Sequence, residues 1–457
     1  MLSSLLLASQ LLVSAVSAVS TNTTASHAIK LTATLYGSRF HAPVSIGGKS
    51  FQLLVDTGSS DTFVIEDEFD CVATLTQGGS LFNISQSVCG YSNATYTIDQ
   101  SNTFERISNE SFQAIYGAGI ARGIMGLEDI ALGGVTVPDQ RFGLVNWSTP
   151  MNLGASGVLG LAYPLMTSAY ELNGTIEEDD LNYQGEVQPY NPLFVDMYTR
   201  GLVDSYFSLA LKRLDSDAES GDGGQMVLGG LPDTQVLGDW VSVPAEYYNI
   251  SGSVASNGTR RRSYWATTVQ SISYGDNSNY TQAYQTIIDS GAPLSSVPRS
   301  VAEEYNQLFS PKGTWSDTQQ AYVVDCDATV PDFDVEVGGK VFTLDHADLV
   351  LHTGSGTGDE ELCLSAITRP LQTEFAEGED DDDDEDEDDD ASSETTELYI
   401  LGASFLKNVV AVFDFGKSEM RFASRGTEDS AASALEMLGA GRAVLLVAAV
   451  TLMQSFI

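Results

Sequence analysis

The sequence predicts an all-β protein made of two related β-rich lobes. Short runs of Val, Ile, Leu, Phe and Tyr are broken by Gly, Pro, Asn and Asp, as in VSIGGKSFQLLVD, and polar and apolar residues alternate in FDVEVGGKVFTL. This period-2 alternation is typical of half-buried strands, whereas long amphipathic helix patterns are scarce. The 457 residues, 42% of them hydrophobic, are enough for two domains with their own cores.

A weak internal repeat predicts the two lobes. The segment LLVDTGSS (Leu53–Ser60) is followed far downstream by SGVLGLAYP, and TIIDSGAP (Thr286–Pro293) is followed at a similar interval by YILGASFL. Each half contains an apolar run, Asp, a hydroxyl residue and Gly, and later an apolar run that ends in Leu-Gly. We expect an N-terminal lobe over residues 28–212 and a C-terminal lobe over 213–424, with one Asp supplied by each.

One helix is predicted directly after the second Asp segment. The stretch SVAEEYNQLF, Ser300–Phe309, begins with a good N-cap residue. Glu303 and Glu304 would lie near the positive end of its dipole.

The charge of the chain excludes one class of partner. The formal net charge is −42, so a phosphate backbone would be repelled, and we predict no nucleic-acid binding. Residues 379–390, EDDDDDEDEDDD, are an uninterrupted run of twelve acids. Such a run repels itself and buries no surface, so it is predicted to be a solvated insertion within the second lobe.

The N-terminus and the glycosylation sequons predict entry into the secretory pathway. Residues 1–18 are an apolar run that ends in small residues, with Val16-Ser17-Ala18 as the candidate cleavage site of a signal peptide. Nine asparagines begin an N-x-S/T sequon without an intervening Pro. They are Asn22, Asn83, Asn93, Asn109, Asn146, Asn173, Asn249, Asn257 and Asn279.

The cysteine count agrees with an oxidising compartment. The chain has four cysteines, an even number that predicts two disulfides. Pairing of neighbours, Cys71 with Cys89 and Cys326 with Cys363, keeps one bridge in each half. The spacing fits neither a zinc ribbon nor a CxxC redox site.

The C-terminal segment predicts a lipid anchor. Residues 425–457 contain the small residues Ser430–Ser433, a spacer of roughly ten residues and the apolar run AVLLVAAVTLMQSFI, the order of a glycosylphosphatidylinositol (GPI) attachment signal. A single-pass membrane tail and a last amphipathic helix remain as alternatives. We therefore expect a protein at the cell surface, anchored to the plasma membrane or the cell wall.

The two Asp-hydroxyl-Gly segments predict a pair of carboxyls that act as one acid–base unit. Asp56 and Asp289 stand 233 residues apart, each at the end of an apolar strand. A lone Asp after a strand is a common turn former, but two matched turns from related lobes favour a joint site. At about 3 Å and an effective dielectric near 20, two carboxylates repel by about 5 kcal/mol, so they share one proton.

Such a pair can hydrolyse a peptide bond without a metal or a covalent nucleophile. The ionised carboxylate takes a proton from water, and the protonated carboxyl donates to the substrate carbonyl. Thr57 and Ser290 are expected to hydrogen-bond across the junction of the lobes, and Gly58 and Gly291 let the backbone approach each carboxylate. The predicted substrates are proteins or peptides.

From about Leu35 to Phe422 the chain resembles a bilobal pepsin-family aspartic protease. The flap hairpin of that family is matched by IYGAGIARGIMGLEDIALGG, in which Tyr116 stands at the flap tyrosine and Gly117 follows it. Other family markers are matched by SGVLGLAYP, YFSLAL, GQMVLGGLPD, SYWATTV and LYILGASFLKNVVAVFDFGKSEMRFA. The resemblance implies the pepsin-like fold, with a cleft between the lobes and a proton-sharing catalytic pair, Asp56 and Asp289.

The resemblance also implies features away from the catalytic pair. Cys326 and Cys363 stand like the second-lobe disulfide of the family. The GPI-type tail, the acidic insertion and the loop bounded by Cys71 and Cys89 resemble the fungal yapsin group in particular, which implies cleavage at or near basic residues.

The chain departs from the family pattern at three positions. Position 292 is Ala where the family usually has Thr or Ser, whose hydroxyl bonds the outer oxygen of the aspartate; its counterpart Ser59 keeps that hydroxyl. We therefore expect Asp56 to ionise first and Asp289 to hold the shared proton. Position 63 is Phe where the family usually has a Trp that steadies the flap tyrosine, and position 403 is Ala where it usually has Asp.

A further departure concerns the N-terminal region. Only about seventeen residues separate the predicted signal peptide from the first core strand, fewer than the inhibitory propeptide of the family usually has. The resemblance therefore does not extend to the inhibitory propeptide, and self-inhibition as a zymogen is left open.

Two other functions are compatible with parts of the sequence. A catalytically impaired relative would keep the fold as a binding or cell-wall structural module, which Ala292 and Ala403 favour. A glycosidase would hold its carboxyls about 5 Å or more apart, but symmetric Asp-Thr/Ser-Gly turns favour the shared-proton geometry. The four histidines show no metal spacing and no phosphate loop precedes a helix, so we predict no metal and no cofactor. We also expect a monomer.

Overall fold

The computed structural model of the protein describes residues 26–74, 81–172, 186–215, 218–248, 254, 258–354, 361–373 and 396–426. The predicted signal peptide, the acidic run 379–390 and nearly all of the predicted anchor segment lie outside the described residues, as do Asn22, Asn173, Asn249 and Asn257. Within the described ranges, the structure contains no helix with the length and apolarity needed to span a membrane.

The described residues form strands with few helices. The first half contains β1 (His27–Thr34), β2 (Arg39–Ile46), β3 (Lys49–Asp56), β4 (Thr62–Thr74), β5 (Leu81–Ile84), β6 (Glu105–Tyr116), β7 (Gly119–Leu132), β8 (Val135–Ser148), β9 (Gly157–Gly160), β10 (Ala169–Glu171), α1 (Leu193–Thr199) and β11 (Tyr206–Leu211). Short 3₁₀ helices lie at Gln86–Cys89, Ile98–Gln100, Pro164–Met166 and His346–Asp348.

The second half repeats this composition. It contains β12 (Gly221–Leu228), β13 (Val236–Pro244), β14 (Ala266–Tyr274), β15 (Ser278–Tyr280), β16 (Tyr284–Ile288), β17 (Ser295–Ser296), α2 (Arg299–Asn306), β18 (Thr314–Ser316), β19 (Ala321–Val324), β20 (Phe333–Val337), β21 (Lys340–Thr343), β22 (Val350–His352), β23 (Cys363–Ser365), β24 (Ile367–Thr368), β25 (Leu371–Thr373), β26 (Thr396–Leu398), β27 (Ile400–Leu401), α3 (Ala403–Leu406), β28 (Val409–Asp414) and β29 (Glu419–Arg425).

The repeat in the sequence corresponds to a repeat in strand pairing. β3, which ends at Asp56, pairs in parallel with β9, so that Asp56 lies opposite Gly160. β16, which leads to Asp289, pairs in parallel with β27, so that Ile288 lies opposite Leu401. In both halves, the strand that carries the later Leu-Gly motif supports the strand that delivers the Asp.

One sheet joins the two halves of the chain. Fifteen strands form it, and within it β1 pairs with β12 and β11 pairs with β28. The division expected at residues 212 and 213 falls directly after β11, so strands on both sides of it share hydrogen bonds. A separate eight-stranded sheet is built from the second half alone. The all-β fold class predicted from the sequence is confirmed.

Buried aromatic residues and two disulfides hold this framework together. Trp265 is fully buried and packs with Tyr163 from the first half at a ring-centroid distance of 4.6 Å. Its indole N–H donates to the carbonyl of Leu161 at 2.9 Å. The predicted disulfide pairing is confirmed, with Cys71 joined to Cys89 and Cys326 to Cys363.

The predicted helix at residues 300–309 is displaced. Helix α2 spans Arg299–Asn306, and Pro298 is its N-cap. The expected N-cap, Ser300, therefore lies inside the first turn, because Pro298 already has the fixed φ and the extended conformation that begin the helix. The helix ends at Asn306, three residues before the predicted end at Phe309, and Gln307 is its C-cap.

Candidate active site

The two Asp loops meet with their glycines facing the opposite carboxyl group. A Cβ atom on Gly58 would lie 2.5 Å from Cγ of Asp289, and one on Gly291 would lie 2.5 Å from Oδ1 of Asp56. Any side chain at either position would overlap a carboxyl group. The glycines therefore allow each backbone loop to pass directly beside the aspartate of the other half.

The hydroxyl residue after each Asp locks the two loops together. The Thr57 amide donates to Ser290 Oγ at 3.1 Å, and the Ser290 amide donates to Thr57 Oγ1 at 2.9 Å. Each hydroxyl then donates onward into the opposite strand, Thr57 to the Ile288 carbonyl at 2.7 Å and Ser290 to the Val55 carbonyl at 2.7 Å. These four reciprocal bonds fix the position of one loop against the other.

The two carboxyls are buried side by side. Asp56 is only 5% exposed, and its carboxyl lies close enough to that of Asp289 to act on it directly. Burial, followed by the charge of Asp56, raises the pKa of Asp289 well above its ordinary value. Asp289 is therefore the member of the pair that keeps a proton when Asp56 is ionised.

The two aspartates differ in the groups that hold them. Asp56 accepts from the Gly58 amide at Oδ1, at 2.8 Å, and from the Ser59 hydroxyl at Oδ2, at 2.5 Å. Asp289 accepts from two amides, Gly291 at 2.7 Å and Ala292 at 3.2 Å, and both bonds end on Oδ1. In the described part of the chain no hydroxyl side chain donates to Asp289.

The predicted flap residues lie above the first Asp loop. Tyr116 ends β6 and Gly117 begins the turn to β7. The Tyr116 ring packs 6.1 Å from that of Phe63, and burial raises the pKa of Tyr116 well above its usual value. Its hydroxyl is buried and lies near the Ser59 hydroxyl, but no group among the described residues meets it in full hydrogen-bonding geometry.

The flap turn faces a strand of the second half. A Cβ on Gly117 would lie 3.8 Å from Cδ1 of Leu371, the first residue of β25. β25 pairs with β26 in a two-stranded sheet, and the acidic run lies in the sequence between these two strands. The flap turn therefore passes directly beside the start of β25.

Two charged residues of the site were missed from the sequence. Arg39, the first residue of β2, reaches across to the second Asp loop and donates from Nη1 to the Gly291 carbonyl at 2.8 Å. Asp61 is 1% exposed and accepts from the Tyr190 hydroxyl at 2.6 Å, and burial raises its pKa to about 6. The available signal was weak: Arg39 is a cation next to an apolar strand in a chain with only 21 Lys and Arg, and Asp61 directly follows DTGSS.

The unusual Ala403 lies behind the second Asp loop. It is buried, and its amide donates to the Ala292 carbonyl at 2.8 Å. Nearby, the hydroxyls of Ser295 and Ser404 lie 2.8 Å apart. Backbone and serine groups thus occupy the region where an acid stands in the family pattern.

One cluster of metal-ligating residue types lies away from the dyad. Ligand atoms of Cys326, His352, Glu361 and Cys363 fall within 4.8 Å of one another. The two sulfurs are joined in a disulfide, so only His352 and Glu361 have free ligand atoms, and these already lie 3.0 Å apart.

The asparagines of the described sequons are all at the surface. Asn83, Asn93, Asn109, Asn146 and Asn279 are exposed. Each is therefore sterically open to a glycan.

Comparison with known proteins gives a consistent result. Residues 39–425 match the family model described as eukaryotic aspartyl protease. A probable aspartic-type endopeptidase of Aspergillus fumigatus is 32% identical over 392 residues, which is 85% of this chain and 79% of that protein. Major aspartyl peptidase 1 of Cryptococcus neoformans is 27% identical over 416 residues, 86% of this chain and 70% of that protein.

A solved structure shows the same fold at low sequence identity. The crystal structure of the aspartic proteinase from Irpex lacteus aligns with a TM-score of 0.60 at 16% identity. It covers 88% of this chain and 98% of its own.

Proposed function

The chain belongs to the eukaryotic aspartyl protease family and is an aspartic-type endopeptidase, and we propose that it hydrolyses peptide bonds with a water molecule held between Asp56 and Asp289. The observation that carries this assignment is the reciprocal approach of the two loops, with Gly58 against Asp289 and Gly291 against Asp56. This approach brings two carboxyls into one shared-proton unit.

In the proposed mechanism, the two carboxyls exchange roles once per cycle. Asp56, held ionised by the Ser59 hydroxyl and the Gly58 amide, takes a proton from water while the oxygen adds to the peptide carbonyl carbon. Asp289 donates its proton to the carbonyl oxygen in the same step. Collapse of the tetrahedral diol breaks the C–N bond, Asp56 returns its proton to the leaving amine, and Asp289 recovers one from the diol.

We propose that the substrate binds beneath the flap turn, beside the two Asp loops. Tyr116 and Gly117 would cover the peptide, and Leu371, which lies next to the flap turn, offers it an apolar contact. The proposed lobes, residues 28–212 and 213–424, would each supply one Asp and one wall of the cleft.

A peptide library tests the catalytic assignment directly. We expect cleavage at acidic pH that a pepstatin-type inhibitor blocks, and no cleavage by the Asp56→Asn variant prepared in the same way. If the wild-type protein cleaves nothing while it still binds the inhibitor, the alternative of an impaired binding or structural module gains. Cleavage of glycosidic bonds instead of peptides would remove the proposal.

We further propose that the enzyme acts at the cell surface, as a yapsin-like, GPI-anchored glycoprotein. The N-terminal apolar run, the nine sequons and the order of small residues, spacer and apolar tail support this location. The exposure of the five described sequon asparagines is compatible with it. Release from membranes by a phosphatidylinositol-specific phospholipase is the expected result, and recovery of a surface protein that still ends in Ile457 would contradict it.

The preference we propose is for Lys or Arg at or near the scissile bond. The acidic run 379–390 is joined to the rest of the chain through β25 and β26, beside the proposed cleft. Its charge would attract basic peptides, and salt would screen that attraction. An alternative is that the run serves only solubility.

Replacing the acidic run with a neutral segment of equal length distinguishes a role in substrate recognition from a role in solubility alone. The replacement should slow the cleavage of basic peptides more at low than at high salt, and should leave the cleavage of neutral peptides unchanged. Equal rates on basic peptides before and after the replacement would leave the run without a role in recognition.

A further inference from the structure

The second Asp loop lacks a hydroxyl at position 292 but contains a short chain of hydrogen bonds that starts on a cation. Arg39 Nη1 donates to the Gly291 carbonyl at 2.8 Å. The same peptide group, between Gly291 and Ala292, carries the Ala292 amide, which donates to Asp289 Oδ1 at 3.2 Å. One peptide group thus links the guanidinium of the first half to the carboxyl of the second.

This arrangement favours the ionised form of Asp289. A peptide group whose oxygen accepts from a cation is polarised, and its N–H becomes a stronger donor. The negative charge of an ionised Asp289 is then favoured by the polarised amide and by the positive charge behind it. Both effects act in the direction in which a side-chain hydroxyl at position 292 would act.

The position of Arg39 also calls for an explanation other than structural support. Its Nε atom is buried without a hydrogen-bond partner, which is costly for a charged group. Burial lowers the pKa of Arg39, and the charges of Asp289 and Asp56 oppose that shift. None of the ion pairs found within the described ranges joins Arg39 to either aspartate, so its charge acts on them without a direct salt bridge.

We propose that Arg39 is a positioning residue which, through the peptide group between Gly291 and Ala292, takes the place of the missing hydroxyl and stabilises the ionised form of Asp289. The inference rests on the proposed catalytic role of the dyad. If it is correct, Arg39 helps to set the pH range in which the enzyme is active.

Other titratable groups face this region, and their effects on the pH profile must be distinguished from those of the two aspartates. His41 lies two residues further along β2, and burial, with a smaller effect from Arg39, lowers its pKa to about 4. Burial raises the pKa of Tyr264, and the charges of the two nearby aspartates raise it further. Asp61 and Tyr116 lie on the flap side of Asp56. Of these, His41 and Asp61 titrate in the acid range.

The test compares Arg39→Gln, which removes the charge, with Arg39→Lys, which keeps it. In Arg39→Gln we expect both limbs of the pH dependence of kcat/KM to move to higher pH by about one unit. In Arg39→Lys, which keeps the charge, both limbs should return at least halfway to their wild-type positions. A residue that only supports the loop would lower kcat/KM, or the melting temperature, without moving both limbs together.

Two control variants identify the limbs. His41→Gln should leave the alkaline limb in place, and Asp61→Asn should leave the acid limb in place, because each group titrates at one end of the range. Only a change in the dyad itself moves both limbs in the same direction. Unchanged limbs in a folded Arg39→Gln enzyme would overturn the inference.

A second readout does not depend on turnover. Titration of the ¹³C carboxyl resonances of the substrate-free protein, assigned with Asp56→Asn and Asp289→Asn, should show the same upward shift in Arg39→Gln. A shift without any peptide cleavage by the wild type would uphold the role of Arg39 and refute the proposed activity. Peptide cleavage by the wild type, with no shift of the carboxyl titration in Arg39→Gln, would uphold the proposed activity and refute the role of Arg39.

If Arg39→Gln does not fold, Ala292→Thr in the wild-type background serves as the test. Because Arg39 already acts in place of the hydroxyl, we expect the alkaline limb to move down by only about half a unit. A downward move of about one unit or more, the full effect of a new hydrogen bond to a charged group, would show that Arg39 does not act in place of the hydroxyl and would overturn the inference.

Discussion

The loop at Asp56 and the loop at Asp289 have the same backbone plan, but they stabilise their carboxylates by different means. Both place a glycine amide on Oδ1 of their own Asp, at 2.8 Å and 2.7 Å. The first then adds the Ser59 hydroxyl on Oδ2, whereas the second adds a backbone amide on the same Oδ1. A local side chain assists Asp56, and a cation from the other half of the chain assists Asp289 through a peptide group.

This difference shows that a repeated motif can keep its geometry while its two copies diverge in chemistry. The four reciprocal bonds of Thr57 and Ser290 are symmetric, because they hold the loops together. The bonds that hold the carboxylates are not symmetric, because Asp56 accepts a side-chain hydroxyl on Oδ2 whereas Asp289 accepts only backbone amides, both on Oδ1. The two loops are therefore alike where they join each other and differ where they hold the carboxyls.

The largest expected effect comes from removing either carboxyl. Asp56→Asn and Asp289→Asn should each lower kcat/KM by about a thousandfold or more, because one proton transfer needs both groups. The yield of folded protein and its thermal unfolding should stay close to wild type, since the amide is nearly isosteric. Substantial turnover by either variant would rule out the shared-proton mechanism and make the symmetric geometry irrelevant to catalysis.

The next effect comes from making the first loop resemble the second. Ser59→Ala removes a hydrogen bond to a charged oxygen, worth about 1.5–3 kcal/mol, and leaves no cation in its place. We expect kcat/KM to fall about tenfold and the acid limb to move up by about one pH unit. A matched Ser290→Ala variant should instead lower the melting temperature, because that hydroxyl joins the loops. An unmoved acid limb in Ser59→Ala would contradict the local role of Ser59.

A smaller effect comes from making the second loop resemble the first. Ala292→Thr offers Asp289 a hydroxyl, eases its ionisation and should move the alkaline limb to lower pH by about half a unit. The same substitution in an Arg39→Gln background should move it by about one unit, because the cation no longer acts in its place. Equal shifts in the two backgrounds would show that Arg39 and the hydroxyl act independently.

The smallest effect is expected at the flap, where a hydroxyl has no partner. Tyr116→Phe removes a buried hydroxyl that bonds to no described group, so we expect kcat/KM within about threefold of wild type and an equal or higher melting temperature. Ser59→Ala deletes the same kind of group on the same side of the dyad and serves as the contrast. A loss of about a hundredfold in Tyr116→Phe would show that the hydroxyl finds its partner in the bound substrate.

A buried ion-pair cluster illustrates what a single sequence leaves open. Asp348 is 2% exposed and accepts from Arg213 at 2.9 and 2.5 Å, and Lys407 lies 3.0 Å away. Burial alone would raise the pKa of Asp348, but the charges of Lys407 and Arg213 outweigh it and hold the pKa below its usual value. The three residues lie in different segments, so no local pattern predicts the cluster.

The sequence by itself determined the features that follow from local patterns. Strand alternation predicted an all-β fold, the two Asp-hydroxyl-Gly turns predicted a pair of loops, and neighbouring cysteines predicted the disulfides. Ala292 and Phe63 were visible as departures from a known pattern. The helix after Pro298 was predicted in the correct place but with shifted ends, because helix termini depend on caps that several nearby residues can provide.

The tertiary structure alone decided which distant groups act on each carboxyl. Arg39 lies 252 residues from Gly291, and nothing in its neighbourhood in the sequence marks it as part of a site. Asp61, Tyr190 and Leu371 likewise reach the dyad or the flap only after strands from several segments have paired. Side-chain patterns specify strands and turns locally, but Coulomb forces and hydrogen bonds act through space, so the charge environment of the dyad exists only once the two halves have come together.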